Sequence, residues 1–124
     1  MSDAVQALIV DDDEHLRSLL ELGVEQMGFK AHAVANTLLA KDWLESNLPK
    51  LIVLDIMMPD GNGLDLCRWI RKQPRLAKIP ILISSALKDD ETAQDALEMG
   101  AVDFLHKPFT MQALREKLER IQRL

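Results

Sequence analysis

The residues most able to do chemistry stand at the ends of short apolar runs. Asp11, Asp12 and Asp13 follow Ala7-Leu-Ile-Val10, and Asp55 follows Leu51-Ile-Val-Leu54. Ser84 and Ser85 end the run that begins at Pro80, and Lys107 lies just past Val102-Asp-Phe-Leu105. Carboxylates brought together repel, so a site that keeps two or three of them ionised needs a cation or must protonate one. Oxygen-only ligands favour a hard metal. Mg²⁺ accepts oxygen ligands at about 2.1 Å, keeps several waters and is commonly shared with phosphate. Lys107 would then balance an incoming anion. Zinc fits poorly, because His15, His32 and His106 are scattered without ligand spacing. An EF-hand loop fails as well, since its sixth position would be Leu16 instead of glycine.

The acidic run also has a structural reading. Carboxylates at a helix start accept bonds from unpaired amides and interact well with the helix dipole, and this reading suits Asp13 and Glu14. Asp11 and Asp12 sit at the strand exit and share a rim with Asp55. The stretch Asp55-Ile-Met-Met-Pro59-Asp-Gly-Asn-Gly63 sets Asp55 apart from an ordinary turn aspartate.

The elements that must position these groups alternate. Residues 7–10, 51–54, 80–84 and 102–105 read as buried strands, with a weaker one at 31–35. Between them lie helices. The first carries the stripe Leu16, Leu19, Leu20, Val24 and Met27 and stops at Gly28. Asn36 or Thr37 caps the second, with Leu39, Ala40, Trp43 and Leu44 facing inward. The third spans about 64–72 with Leu66, Trp69 and Ile70 as its apolar face, and the fourth about 89–99, closed by Gly100. The fifth begins near Thr110 and carries Met111, Leu114, Leu118 and Ile121. Solid apolar strands joined by helices imply a parallel sheet covered on both faces, a five-stranded doubly wound α/β domain. Such sheets bind ligands outside the carboxyl ends of their strands. The aspartates, serines and lysine all fall on that rim.

Composition narrows the function classes. The 124 residues are 48% hydrophobic and 28% charged, with 15 basic and 20 acidic side chains and a net charge of −5. One domain, 1–124, with a single core is the expectation at this length. Net acidity argues against nucleic-acid binding, which needs a basic face. The single Cys67 excludes an intramolecular disulfide framework and reads as core in a reducing compartment. No run approaches the ~20 apolar residues of a membrane span, and Met-Ser-Asp-Ala is no signal peptide, so a cytoplasmic location is expected.

Taken together, Leu-Ile-Val-Asp11-Asp12-Asp, Leu-Asp55-Ile-Met-Met-Pro59 with Gly63, Ile-Ser84-Ser85-Ala86, Gly100-Ala101-Val-Asp-Phe104 and Lys107-Pro108-Phe109 resemble the receiver domain of two-component response regulators. The resemblance covers essentially the whole chain. It implies a flavodoxin-like (βα)5 fold with strand order 2-1-3-4-5. It implies that Asp55 is the phosphoacceptor, taking a phosphoryl group from a phosphohistidine of a sensor histidine kinase or histidine phosphotransfer protein. Asp12, Asp55 and the Met57 backbone carbonyl would bind Mg²⁺, and Asp11 would act mainly through a metal-bound water. Ser85, where the family more often has Thr, would donate to the phosphoryl oxygens, and Lys107 would pair with them across a cis Lys107-Pro108 bond. The chain would catalyse only its own phosphorylation and dephosphorylation.

The resemblance also implies a switch. Ser85 would move toward the phosphate and Phe104 would rotate inward, although Phe104 also reads simply as a core aromatic. Many relatives carry Tyr at that position, and this chain has no Tyr. The output face would be the fourth helix, fifth strand and fifth helix, reaching a downstream effector protein or a fused output domain. Arg115, Lys117, Arg120 and Arg123 alternate with Glu116 and Glu119 and could pair in a homodimer, or simply be a solvated face. The last helix reaches Leu124 without a stop signal, which fits a stand-alone receiver or one cut before an effector. The rivals are a receiver retained only as an interaction module, a flavodoxin-like cofactor binder and a Mg²⁺-dependent aspartyl-phosphate hydrolase. A flavodoxin-like site would be repelled by Asp11 and Asp12. The hydrolase would want an acid where Met57 stands.

Overall fold

The computed structural model describes residues 5–58, 61–86, 94–95 and 97–123, with 57–58 and 61–62 described by their backbone. Five parallel strands form one sheet: β1 (Gln6–Val10), β2 (Lys30–Val34), β3 (Leu51–Asp55), β4 (Ile81–Ser85) and β5 (Asp103–His106), in spatial order β2-β1-β3-β4-β5. The doubly wound α/β fold and its strand order are those expected. β3 and β4 are buried throughout, as strands covered on both faces must be. β2 is an edge strand whose positions alternate between exposed and partly buried, with only Val34 buried, which is why its apolar signal is weak.

Helices cover both faces. One apolar cluster holds Leu8, Val10, Ile52, Leu54, Ile81, Ile83 and Phe104 against α2 (Thr37–Leu44) and α3 (Gly63–Lys72). The other holds Ala7, Ile9, Leu51, Val53, Leu82 and Leu105 against α1 (Glu14–Gln26) and the C-terminal helix (Met111–Gln122). Asp13, Asn36 and Thr110 cap their helices by accepting from the amides of Leu16, Leu39 and Ala113. Past α1, Gly28 takes φ 94°, a left-handed conformation that glycine adopts without strain. Cys67 is fully buried; burial raises its thiol pKa, against the lowering charges of Arg71 and Arg68.

Several expectations shift. Leu39 is 46% exposed instead of facing inward, because Ala40 and Leu44 form the buried stripe of α2 and Leu39 lies about 100° around the helix from Ala40. β4 and β5 each end one residue later than expected. A short antiparallel pairing of 57–58 with 61–62, absent from the sequence reading, bridges β3 to α3. Of the fourth helix, expected at 89–99, residues 94–95 and 97–98 are helical and 87–93 and 96 lie outside the described residues, as does Pro59. The far end of that connection is fastened by Arg71. Its guanidinium donates to the carbonyls of Ala77 and Ile79 at 2.7 and 2.9 Å and to Gly100 at 2.6 Å.

Gly63 sets how closely α3 approaches the end of β3. Its amide donates to the Ile56 carbonyl at 2.9 Å, and a Cβ there would run into the Asp55 carbonyl oxygen and Ile56 Cα. Gly63→Ala must therefore push backbone against backbone. We expect it to lower the stability read from a urea midpoint by about 1–3 kcal/mol. An unchanged midpoint would show that α3 is free to move away.

Candidate functional site

The two-residue period of the strands builds the site. Ile9 and Val53 belong to the cluster beneath α1 and the C-terminal helix, so the residues two positions on, Asp11 and Asp55, continue those rows to the C-terminal rim. Asp11 is fully buried and Asp55 is 5% exposed. Lys107, two residues past Leu105, reaches both, donating from Nζ to Asp11 Oδ2 at 2.8 Å and to Asp55 Oδ2 at 3.3 Å. Its own amide donates to the Ser85 carbonyl at 2.9 Å, which ties the lysine's backbone to the end of β4. The Lys107-Pro108 peptide bond is cis.

Asp11 is fixed from several sides. Its Oδ1 accepts from the Asp13 amide at 2.9 Å, its amide donates to the Val34 carbonyl, and its carbonyl accepts from Arg17 Nη1 at 2.9 Å. Carboxylate oxygens of Asp11, Asp12 and Asp55 all lie within 4.8 Å of one another, with Asp12 on the exposed side. Asp13 is instead the cap of α1. The expected cluster thus comes together as Asp11, Asp12, Asp55 and Lys107. Ser85 is buried and continues the row of Ile81 and Ile83 on the opposite sheet face, the face that holds Phe104. Phe104 is 7% exposed, with its ring centroid 4.6 Å from that of His106. Met57 lies in the short pairing just after Asp55.

Two contributors escaped the sequence reading. Arg17 stands six residues from Asp11, at a spacing no local motif marks. Gly63 sits in the quoted motif, but only the close approach of α3 shows what it does.

Three carboxylates face one ammonium. Burial acts to lower the Lys107 pKa, but the hydrogen bond and charge of Asp11, then those of Asp55, outweigh it and raise the value above 10.5. The folded site therefore favours the protonated lysine. Its contribution to stability is complete below pH 10.5 and is lost as pH rises through the higher folded value. Lys107→Met leaves the buried carboxylates uncompensated and should cost about 3 kcal/mol near neutral pH. The stability gap between wild type and variant, followed by urea titration, should stay level up to pH 10.5 and close above it. A gap that persisted unchanged at the alkaline end would contradict the ion pairs as its source.

The chain and its fold have relatives among known proteins. The family model for the response regulator receiver domain matches residues 7–119. The chain is 41% identical over 117 residues to the transcriptional regulatory protein GltR of Pseudomonas aeruginosa, a match covering 94% of this chain and 47% of that protein. It spans about half the length of the curated relatives it matches. A two-component response regulator structure from Clostridium difficile superposes with a TM-score of 0.87 at 30% identity, covering 96% of each chain. The BeF3-activated DrrB receiver domain superposes with a TM-score of 0.85 at 25% identity, covering 98% of this chain and 100% of that one. With its strand order, its rim of aspartates and these matches in agreement, the chain belongs to the response regulator receiver domain family of two-component signalling.

Proposed function

We propose that this receiver domain is a phosphorylation switch in which Asp55 takes a phosphoryl group from a phosphohistidine of a sensor histidine kinase or histidine phosphotransfer protein. The observation that carries the reading is the seating of Asp55 at the strand rim, within 3.3 Å of the Lys107 ammonium and beside the carboxylates of Asp11 and Asp12. Receiver domains are signalling modules and not classical enzymes. The chemistry proposed for this chain is confined to its own phosphorylation and dephosphorylation.

Each residue has a physical task. The Lys107 ammonium, 3.3 Å away, favours the ionised form of the Asp55 carboxyl group, so Asp55 attacks phosphorus without a general base. The phosphorus–nitrogen bond of the donor breaks as the Asp55 oxygen–phosphorus bond forms. Lys107 faces the developing charge on the phosphoryl oxygens with a fixed ammonium. Ser85 supplies a hydroxyl to those oxygens when its segment moves toward the site. The donor set is all oxygen and carries surplus negative charge after Lys107 is counted, which fits a hard divalent ion. Asp12 and Asp55, with the Met57 carbonyl, would hold Mg²⁺ directly and Asp11 through water. Bound there, Mg²⁺ would neutralise carboxylate and phosphoryl charge.

Phe104 is already packed in the core cluster. The acyl phosphate would therefore act by population shift, favouring the state in which Ser85 lies toward the phosphate and the ring stays inward. The output face is the one formed by the fourth helix, β5 and the C-terminal helix, serving an effector protein or a fused output domain. Within the chain, Asp103 takes Lys117 at 2.9 Å and Arg120 at 3.4 Å. A homodimer using those cations would have to rearrange these pairs. Among the described residues no helix is long and apolar enough to cross a membrane. We assign no nucleic-acid contact to this domain and a cytoplasmic location to the chain.

Two measurements test the reading. Incubation with acetyl phosphate and Mg²⁺ should add one phosphoryl mass to the wild-type chain and none to Asp55→Asn. Equal labelling of the variant would remove Asp55 from the role. Separately, millimolar Mg²⁺ should raise the melting temperature of the wild type, and Asp12→Asn should lose most of that gain. An equal gain in both would place the ion elsewhere.

A further inference from the structure

Asp12 is the exposed member of the acidic cluster, and its side chain is the one least constrained by neighbours. Asp11 is bonded to the Asp13 amide and to Lys107, and Asp55 to Lys107. Among the described residues, the Asp12 carboxylate accepts no hydrogen bond. Its direction is therefore set by its own backbone. Both peptide planes that flank Asp12 are fixed. The plane after it is held by its amide, that of Asp13, which donates to Asp11 Oδ1 at 2.9 Å. The plane before it is held by its carbonyl, that of Asp11, which accepts from Arg17 Nη1 at 2.9 Å. The amide of Arg17 donates to the Asp13 carbonyl at 2.8 Å, so Arg17 is itself anchored in the first turn of α1 and reaches back over the helix start.

The choice of acceptor is informative. A guanidinium beside three carboxylates has every electrostatic reason to pair with one of them, yet Arg17 makes no ion pair among the described residues. It bonds a backbone oxygen instead, through a partly buried, charge-assisted contact. The carboxylate oxygens of Asp12 are thereby left free for another cation. Groups that hold a ligand residue in place, without touching the ion, set much of a metal site's affinity.

We propose that Arg17 is a positioning residue for the divalent ion, fixing the peptide between Asp11 and Asp12 so that the Asp12 carboxylate is already aimed at the cluster before the ion arrives. This rests on Asp11, Asp12 and Asp55 being the Mg²⁺ site. Arg17 touches neither the ion nor the phosphoryl group. Its two effects on the ion have opposite signs. As a positive charge it repels a dication, so its removal would tighten binding. As the bond that orders Asp12 it spares the ion the cost of ordering that residue, so its removal would weaken binding. The ordering effect is the larger, because the charge is shared with a carbonyl and screened by solvent while the bond acts directly on the backbone of a ligand residue.

The test is a Mg²⁺ titration of the whole chain, read from the NMR shifts of the Asp12 and Asp13 amides, with urea midpoints confirming that each variant is folded. Arg17→Met keeps the length of the side chain and removes its donors and charge, and it should bind Mg²⁺ about tenfold more weakly than wild type. Arg17→Lys keeps the charge and a donor and should stay within about threefold of wild type. An Arg17→Met chain that binds Mg²⁺ as tightly as wild type, or more tightly, overturns the proposal and leaves Arg17 as a local charge. So does an Arg17→Lys chain as weak as Arg17→Met, which would trace the loss to something other than the bond to the Asp11 carbonyl. A wild-type chain whose amides do not respond to Mg²⁺ would overturn the metal reading of the cluster itself. Binding that is weakened by Asp12→Asn but indifferent to Arg17→Met would overturn only the role of Arg17.

Discussion

Two carboxylates buried at one end of a sheet would not stay ionised there on their own. Asp11 and Asp55 sit among apolar strands, and Lys107 is the group that bonds to both. These residues are 96 and 52 positions from the lysine along the chain, so nothing local brings them together. Only a sheet with β1 and β3 adjacent at its centre and β5 reaching over from the edge can do so. The pairing therefore depends on topology. The topology in turn leaves a polar rim whose charges must be matched, because parallel strands all end on the same side. Fold and site impose conditions on each other at this point.

The rest of the rim follows from simple periodicities. The apolar rows that make the two clusters run into polar residues within one period of the strand ends, so core packing aims the site residues without separate scaffolding. α1 begins immediately at this edge, and Asp13 caps it while donating its own amide to Asp11. Helix start and carboxylate placement are thus one local structure. Gly63 performs the matching service at β3, letting α3 begin against the backbone of Asp55 and Ile56.

Much of this was legible beforehand, for identifiable reasons. β1, β3 and β4 are solid apolar runs because both faces are covered, and such runs announce buried parallel strands. Asp11, Asp12, Asp55 and Lys107 could be placed on one rim from strand polarity alone. What could not be read were properties decided by neighbours distant in sequence. Leu39 carries the right chemistry for the core but the wrong angle on α2, and the angle depends on which residues the sheet meets. The face to which each serine of β4 belongs depends on register, and a shift of one residue exchanges them. Arg17 and the close approach at Gly63 are geometric facts with no periodic trace.

Arg71 fastens backbone segments that lie well apart in the chain. Its guanidinium joins α3, the turn before β4 and the Gly100 carbonyl through three backbone acceptors. The guanidinium therefore works as a rivet: α3, the approach to β4 and the backbone at Gly100 share one fastening, and a displacement of any one of them is passed to the other two.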